Sequence, residues 1–238
     1  DRLRREGAVR DVSLEVRAGE IVGIAGLVGS GRTELLRTIF GAEPADSGEI
    51  SVRGAPVRIR SPRQAVRAGL AMISESRKDD GLHMTASIRR NIALPHIAGV
   101  ARSGFVTGAM EQRAAESIAE RVGVRGASLG APVGVLSGGN QQKTMFAKWL
   151  LRRPVVLMID EPTRGVDVGS KRRIYDLICS LAAEGMGVLV VSSEVEEILG
   201  LAHRVLVMRG GGIVAEFDAD TIDEERLLQA AFGTEALA

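Results

Sequence analysis

Short apolar runs alternate with helical periodicity along most of this chain. Val12-Ser-Leu-Glu-Val16 alternates apolar and polar side chains, the pattern of a half-buried strand. Glu20-Ile-Val-Gly-Ile-Ala25 is a nearly continuous apolar run leading into the glycine-rich stretch Gly26–Gly31. Thr33 to Phe40 then places Leu35, Leu36 and Ile39 on one helical side. Strand, glycine loop and helix in that order are the context a phosphate-binding loop requires. Ser47–Val52 and Val57–Ile59 predict two strands around a turn at Gly54, Pro62–Ala68 a short helix, and Leu70–Ile73 a buried strand.

From Arg77 to about Gly134 the character changes. Runs of β-branched residues are few, and one helix is predicted over Met110–Val122, with Ala114, Ile118, Ala119 and Val122 at helical spacing. After Ser137 the alternation resumes: a helix to Leu151, the strand Val155–Ile159, a helix over Ser170–Ala183 and the strand Val188–Val191. Val195–Leu199 reads as helical and Arg204–Met208 as a strand. Gly210-Gly211-Gly212 turns into Ile213–Ala215 as a hairpin, and Ile222–Phe232 closes as a helix. The order predicts an α/β core with a mostly parallel sheet, formed by residues 1–76 and 135–238, with a helical insertion over 77–134.

The chain has 238 residues, 45% hydrophobic and 26% charged, enough to bury a substantial core. Net charge is +1, which gives no electrostatic reason to expect a nucleic-acid partner. Basic residues are mostly arginine, and the first lysine is Lys78. The single cysteine, Cys179, excludes a disulfide framework within the chain and suits a reduced cytosolic setting; it reads as a small buried hydrophobe. The apolar runs Val155–Ile159 and Val188–Val191 are far shorter than the roughly 20 residues of a membrane span. The charged start Asp1–Glu6, without Met and close to strand-like sequence, reads as that of an excised domain.

Three motifs carry chemistry. Gly26-Leu-Val-Gly-Ser-Gly-Arg-Thr33 follows G-x-x-x-x-G-K-[ST] with arginine for lysine. Its glycines let backbone N–H groups converge on phosphates, and the helix start adds partial positive charge. Gly26, Leu27, Val28, Gly29, Ser30, Gly31, Arg32, Thr33 and Glu34 are the candidate nucleotide-binding residues, with Thr33 offering a hydroxyl to Mg2+. Arg32 binds phosphate as a bulkier fork than lysine; alternatively it follows the chain's arginine bias, or the loop is only a tight turn. Val155-Val-Leu-Met-Ile-Asp160-Glu161-Pro-Thr163 places two carboxylates at the carboxyl end of a buried strand, where ligands bind in open α/β sheets. Asp160 suits Mg2+ and Glu161 the attacking water as general base; an acidic helix cap is the simpler alternative. Leu136-Ser-Gly-Gly-Asn-Gln-Gln-Lys143 opens a helix with a hydroxyl and free N–H groups, a second anion site formed by Ser137, Gly138, Gly139, Asn140 and Gln141. A helix cap alone needs the serine but neither glycine.

Glycine loop, Leu-Ser-Gly-Gly and Asp-Glu-Pro-Thr, in this order, resemble an ABC-type ATPase over nearly the whole chain. Gly19-Glu20, the glycine loop through Leu36, Glu75-Ser-Arg-Lys-Asp-Asp-Gly-Leu82, the Asn-Gln-Gln-Lys tail and Val190-Val-Ser-Ser-Glu194 resemble the ATPases of bacterial monosaccharide importers of the ribose, xylose and galactose type. Those carry two cassettes in tandem, and these features resemble the second. The resemblance implies the ABC ATPase fold: a P-loop NTPase core, an antiparallel β subdomain and a helical subdomain that docks a permease. It implies ATP and Mg2+ as cofactors. The implied partners are a second ABC cassette, membrane permease subunits and, indirectly, a periplasmic or surface solute-binding protein. The implied place is the cytoplasmic face of the bacterial inner membrane, peripheral, with the isolated domain soluble.

The family's roles map unevenly. Glu75 stands where a glutamine is expected, Ser193 where the switch histidine is expected, and no aromatic residue precedes the glycine loop to stack on adenine. Asp167, in Arg164-Gly-Val-Asp167, matches the D-loop position. The departures Arg32, Glu75 and Ser193 fall on this chain's own nucleotide side, while Leu136–Lys143 is intact. This suggests a half that turns ATP over slowly itself and lends its signature to another cassette. Rival readings are a nucleotide-dependent docking module without catalysis and a soluble ABC ATPase outside transport; the latter usually carries coiled-coil, zinc or basic insertions that this sequence lacks.

Overall fold

The computed structural model describes residues 1–101 and 104–233. The chain opens with β1 (Leu3–Arg5) and β2 (Val9–Val12), paired antiparallel. The strand expected over Val12–Val16 therefore lies earlier, because Leu3 supplies the ladder partner of Val12. Leu14 and Val16 keep the alternation in burial but lie outside any strand. The buried β3 (Ile21–Ala25) leads through the glycine loop into α1 (Arg32–Phe40), which buries Leu35, Leu36 and Phe40. The hairpin of β4 (Ile50–Val52) and β5 (Ala55–Val57) turns at Arg53 and Gly54, both at positive φ (53° and 76°), as a two-residue loop matching strand twist requires. α2 (Pro62–Arg67) starts on proline, and β6 (Leu70–Ile73) is buried throughout.

A π-helical turn, Arg77–Gly81, follows, then α3 (Ile88–Ala93), α4 (Ile97–Val100) and α5 (Gly108–Val122). Thr107 caps α5, accepting the Met110 N–H, and left-handed Gly123 ends it. α6 (Gly138–Leu150) is buried along most of its length. Then come β7 (Val156–Asp160), α7 (Val168–Ala183), β8 (Gly187–Val191), α8 (Val195–Leu201), β9 (Arg204–Arg209), β10 (Gly212–Asp218) and α9 (Glu224–Phe232).

The six-stranded sheet runs β10-β9-β3-β8-β7-β6. β3 is parallel to both β8 and β9, and β7 is parallel to β8, while β10 returns antiparallel from β9 through Gly210 and Gly211. Near-continuous apolar strands are what a sheet covered on both faces needs. Arg204 is held by Glu20 at 2.9 Å, Glu216 at 2.8 Å and the Glu15 carbonyl at 2.9 Å. Burial would raise the Glu20 pKa, but that guanidinium and the Arg17 N–H lower it overall.

The chain forms two compact units. Unit 1 comprises Asp1–Met72, Val155–Glu161 and Ile178–Ala238; unit 2 comprises Ile73–Pro154 and Pro162–Leu177. Residues 77–134, read as the insertion, fall inside unit 2, which also takes in α6 and the start of α7. Within unit 2, α3, α5 and α6 pack on one another around Ile88, Ile92, Ala115, Met145 and Phe146.

Cys179 corrects the expectation of burial: it is free and exposed. Ile174, Ile178 and Leu181 occupy the buried face of α7, and the helical period turns Cys179 to the other side. No helix among the described residues is long and apolar enough to cross a membrane.

Candidate functional site

The phosphate loop lies at the carboxyl end of β3 in unit 1. Gly29 and Gly31 take φ 81° and 101°, conformations glycine reaches without cost. Leu27, Val28 and Gly29 are exposed at the crest, while Ser30 turns inward. The loop is fixed from behind: Ser30 N–H donates to the Leu27 carbonyl at 3.0 Å, and Gly211 N–H to the Ser30 carbonyl at 2.9 Å. No side chain caps α1 at Gly31, so the N–H groups of its first turn, at Arg32, Thr33 and Glu34, have no intrahelical acceptor. Unsatisfied donors at a helix start form an anion site. Glu34 is half-buried there, its carbonyl accepting the Thr38 hydroxyl at 2.6 Å.

Asp160 ends β7 and is almost completely buried, and neither of its carboxylate oxygens has a hydrogen-bond partner. Burial pushes its pKa up to about 6. The nearby Thr33 hydroxyl opposes part of that push, as do Arg32 and Arg37, while Glu161 adds to it. A buried carboxylate with two unused oxygens is costly unless a cation or donor meets it. Asp160 and Thr33 thus fit Mg2+. Among the described residues no three His, Cys, Asp or Glu side chains gather as a metal cage; Mg2+ shared with phosphates needs only one or two carboxylates.

Glu161 follows with φ 52°, a left-handed conformation that costs a non-glycine residue energy and recurs at functional positions. Its N–H donates to the Val191 carbonyl at 2.9 Å, and its Oε2 accepts the Ser193 hydroxyl at 3.1 Å. Burial raises the Glu161 pKa, with Ser193 and Arg32 opposing. Arg32 is itself buried, and its guanidinium donates to the backbone carbonyl of Ser192. Desolvation lowers the Arg32 pKa against the pull of Glu161, Asp160 and Glu34. Unit 1 thus brings Gly26–Glu34, Asp160, Glu161 and Ser193 together.

Unit 2 holds the remaining candidates. Ser137 is exposed and its oxygen accepts the Asn140 side-chain amide at 3.1 Å; Asn140 Oδ1 accepts the Arg125 N–H at 2.9 Å. The Gln141 side chain donates to the Leu136 carbonyl at 2.9 Å. A Cβ on Gly138 would lie 2.9 Å from the Gly165 carbonyl, and one on Gly139 2.5 Å from Ser170 Oγ. Both glycines are therefore required by close approach to the chain after Pro162. Asp167 is exposed, and its Oδ1 accepts the Ser170 N–H at 3.0 Å, which lowers its pKa. Glu75 pairs with Arg164. Sequence reasoning missed Ser192, Arg77 and Arg164 as participants. Ser192 acts through its carbonyl, which no side-chain pattern reveals, whereas Arg77 and Arg164 sit inside quoted motifs.

A family described as ABC transporter matches residues 9–164. The chain belongs to the ABC transporter family. Similar proteins to this cassette include the ribose import ATP-binding protein RbsA of Rhodococcus jostii (strain RHA1), 48% identical over all of this chain and 47% of that protein. RbsA of Geobacillus kaustophilus (strain HTA426) is 47% identical over 98% of the chain and 47% of its own length. A putative ribose/galactose/methyl galactoside import ATP-binding protein of Rhizobium meliloti (strain 1021) is 47% identical over 96% and 46%. The cassette spans about half the length of these curated relatives. Its fold matches the ATP-binding cassette MJ0796 in a dimeric post-hydrolysis state bound to ADP and Pi, with TM-score 0.75, 20% identity and 91% and 95% of the two chains covered. A nucleotide-free cassette from an ABC transporter matches with TM-score 0.77, 21% identity and coverage of 97% and 92%. The α/β fold with a mostly parallel sheet and antiparallel strands is the ABC ATPase fold.

Proposed function

We propose that this chain is the second of two tandem cassettes in an ATPase that powers monosaccharide import through a membrane permease. In this reading it is the half that turns over ATP slowly at its own loop and supplies Ser137, Gly138 and Gly139 to the other half's ATP. Relatives named for ribose import at 47–48% identity, about twice this chain's length, support the sugar and tandem parts. Residues 77–134 supply the permease-docking surface, a periplasmic or surface solute-binding protein delivers the sugar, and the assembly works at the cytoplasmic face of the bacterial inner membrane.

One observation carries the division of labour: the Arg32 guanidinium is buried and bonded to the Ser192 carbonyl. A lysine ammonium at this position reaches the β- and γ-phosphates. A forked group already engaged with a carbonyl must give up that bond to do the same. The other two departures also have partners within the chain, Ser193 on Glu161 and Glu75 on Arg164.

In its own site, the N–H groups at the start of α1 bind phosphate oxygens. Asp160 and Thr33 would hold Mg2+, which would supply charge neutralisation at the phosphates. Glu161 accepts a proton from the attacking water, and the Ser193 hydroxyl favours its ionised form and orients it. Retention of both carboxylates keeps this site within reach of slow hydrolysis.

The test is ATP turnover by the assembled transporter. Ser137→Arg is expected to abolish most of it, and Arg32→Ala to cost less than about threefold, the scale of one dispensable contact. The reverse ranking overturns the reading.

A further inference from the structure

Within unit 2, the segment after β6 is tied to the segment after Pro162 by contacts that the nucleotide chemistry above does not use. Arg77, at the start of the π-helical turn, donates through Nη1 to the Arg164 carbonyl at 2.9 Å and through Nη2 to the Gly165 carbonyl at 3.2 Å. Two consecutive carbonyls on one planar fork fix both the place and the tilt of the peptide between them. The Glu75 carboxylate holds the Arg164 side chain from two residues away. A single aliphatic or ammonium side chain at 77 offers no such geometry.

The signature glycines meet the same peptide. The Gly165 carbonyl is the atom nearest to where a Gly138 Cβ would lie, at 2.9 Å, and Arg77 Nη2 is 3.6 Å from that point. Gly165 takes φ 65°, and a Cβ there would come within 3.0 Å of Arg77 Nη2. Two residues on, Asp167 accepts the Ser170 N–H, and Ser170 fills the space beside Gly139. One guanidinium therefore stands beside the contact between Gly138 and the Gly165 carbonyl, which joins the segments that carry Ser137–Gly139 and Asp167.

We propose that Arg77, with the Glu75–Arg164 pair, is a clasp that presets the joint surface of Ser137–Gly139 and Asp167, making Arg77 a positioning residue for the signature face. The inference rests on the reading that this face serves another cassette's ATP. It reassigns Glu75 from chemistry at this chain's own site to holding Arg164. A face held by contacts inside one unit needs no nucleotide at the chain's own loop to take its shape.

The experiment compares Arg77→Ala, Arg77→Lys and Arg164→Ala with the unaltered protein by hydrogen–deuterium exchange. Residues 164–170 are expected to exchange at least about tenfold faster in Arg77→Ala, the scale of losing two hydrogen bonds from a charged donor. Arg77→Lys restores part of the protection, because an ammonium can still reach a carbonyl. Residues 21–25 and 188–191 report the sheet and stay unchanged. Should Arg77→Ala fail to fold, Arg164→Ala, which keeps the backbone carbonyls, is expected to raise exchange at 164–170 by a smaller factor. In the assembled transporter, Arg77→Ala is expected to lower kcat about tenfold or more while KM for ATP stays within about twofold. Unchanged exchange at 164–170 in these variants overturns the clasp, and a raised KM with unchanged kcat overturns the positioning role. Turnover surviving in Ser137→Arg removes the donated-face reading alone, because the exchange measurement is independent of it.

Discussion

The Ser193 hydroxyl donates to Glu161 Oε2 at 3.1 Å, joining the chain just past β8 to the proposed general-base carboxylate just past the neighbouring β7. Burial raises the Glu161 pKa and this bond opposes it. Ser193→Ala should therefore raise that pKa further and move the acid limb of the rate–pH profile to higher pH. Turnover at this site should fall about 3- to 10-fold near pH 7, the scale of one hydrogen bond to a charged group. A pH–rate series on a transporter whose other ATP site is inactivated checks this; an unmoved acid limb contradicts it.

Asp160 places function against stability. Its pKa of about 6 lies above the usual 3.8, so between those values the folded protein binds more protons than the unfolded chain. Stability therefore falls as pH rises from about 4 to 6, and the ionised group costs as much as about 3 kcal/mol above that window. Asp160→Asn should stabilise the isolated chain by about 1–3 kcal/mol at pH 7.5, with the gain shrinking as pH falls from 6 to 4. The same change should weaken Mg2+-dependent nucleotide binding. Denaturant unfolding at several pH values without divalent cation, paired with nucleotide titrations, checks both.

Gly138 and Gly139 have no room for a methyl group. A Cβ on Gly138 meets the Gly165 carbonyl at 2.9 Å, and one on Gly139 meets Ser170 Oγ at 2.5 Å and Cβ at 2.8 Å. Gly138→Ala, which forces a backbone shift, should cost about 1–3 kcal/mol. Gly139→Ala should be partly rescued by Ser170→Gly, which removes both contacts. Melting temperatures of the single and double variants decide it; additive losses in the pair contradict it.

Lys148 is buried in α6, where its Nζ donates to the Gly81 carbonyl at 2.7 Å. Burial lowers its pKa from the usual 10.5 to about 8, so between those values the unfolded chain binds more protons. This group's contribution to stability therefore rises as pH climbs from 8 to 10.5, and below that window its charge costs about 3 kcal/mol. Lys148→Met should be more stable by about 1–2 kcal/mol at pH 7.5, allowing for the unpaired Gly81 carbonyl. The difference should vanish or reverse by pH 10.5. Denaturant titrations of both proteins across that range measure it.

The isolated chain should show little ATPase activity, because a pair of its copies would join two loops that each carry Arg32. Mg2+-dependent phosphate release approaching that of the assembled transporter would contradict this.

Local chemistry made much of this protein legible from its sequence. The glycine loop between β3 and α1, the carboxylates ending β7 and the glycine turn between β9 and β10 are each specified by residues within a short window. Apolar runs of strand length, separated by helical periods, determined the parallel sheet, since both sheet faces must be covered. Tertiary structure decided what depends on a distant partner. Val12 pairs with Leu3, so the first strand moves away from the alternating stretch after it. Cys179 is exposed because only the packed face of α7 defines an inside. Arg32 finds its acceptor 160 residues away, on a backbone carbonyl that no side-chain motif records. Two glycines that read as part of an anion site are also demanded by steric contact with Gly165 and Ser170. In each case the deciding force acts across space, between groups whose separation along the chain carries no information about their contact.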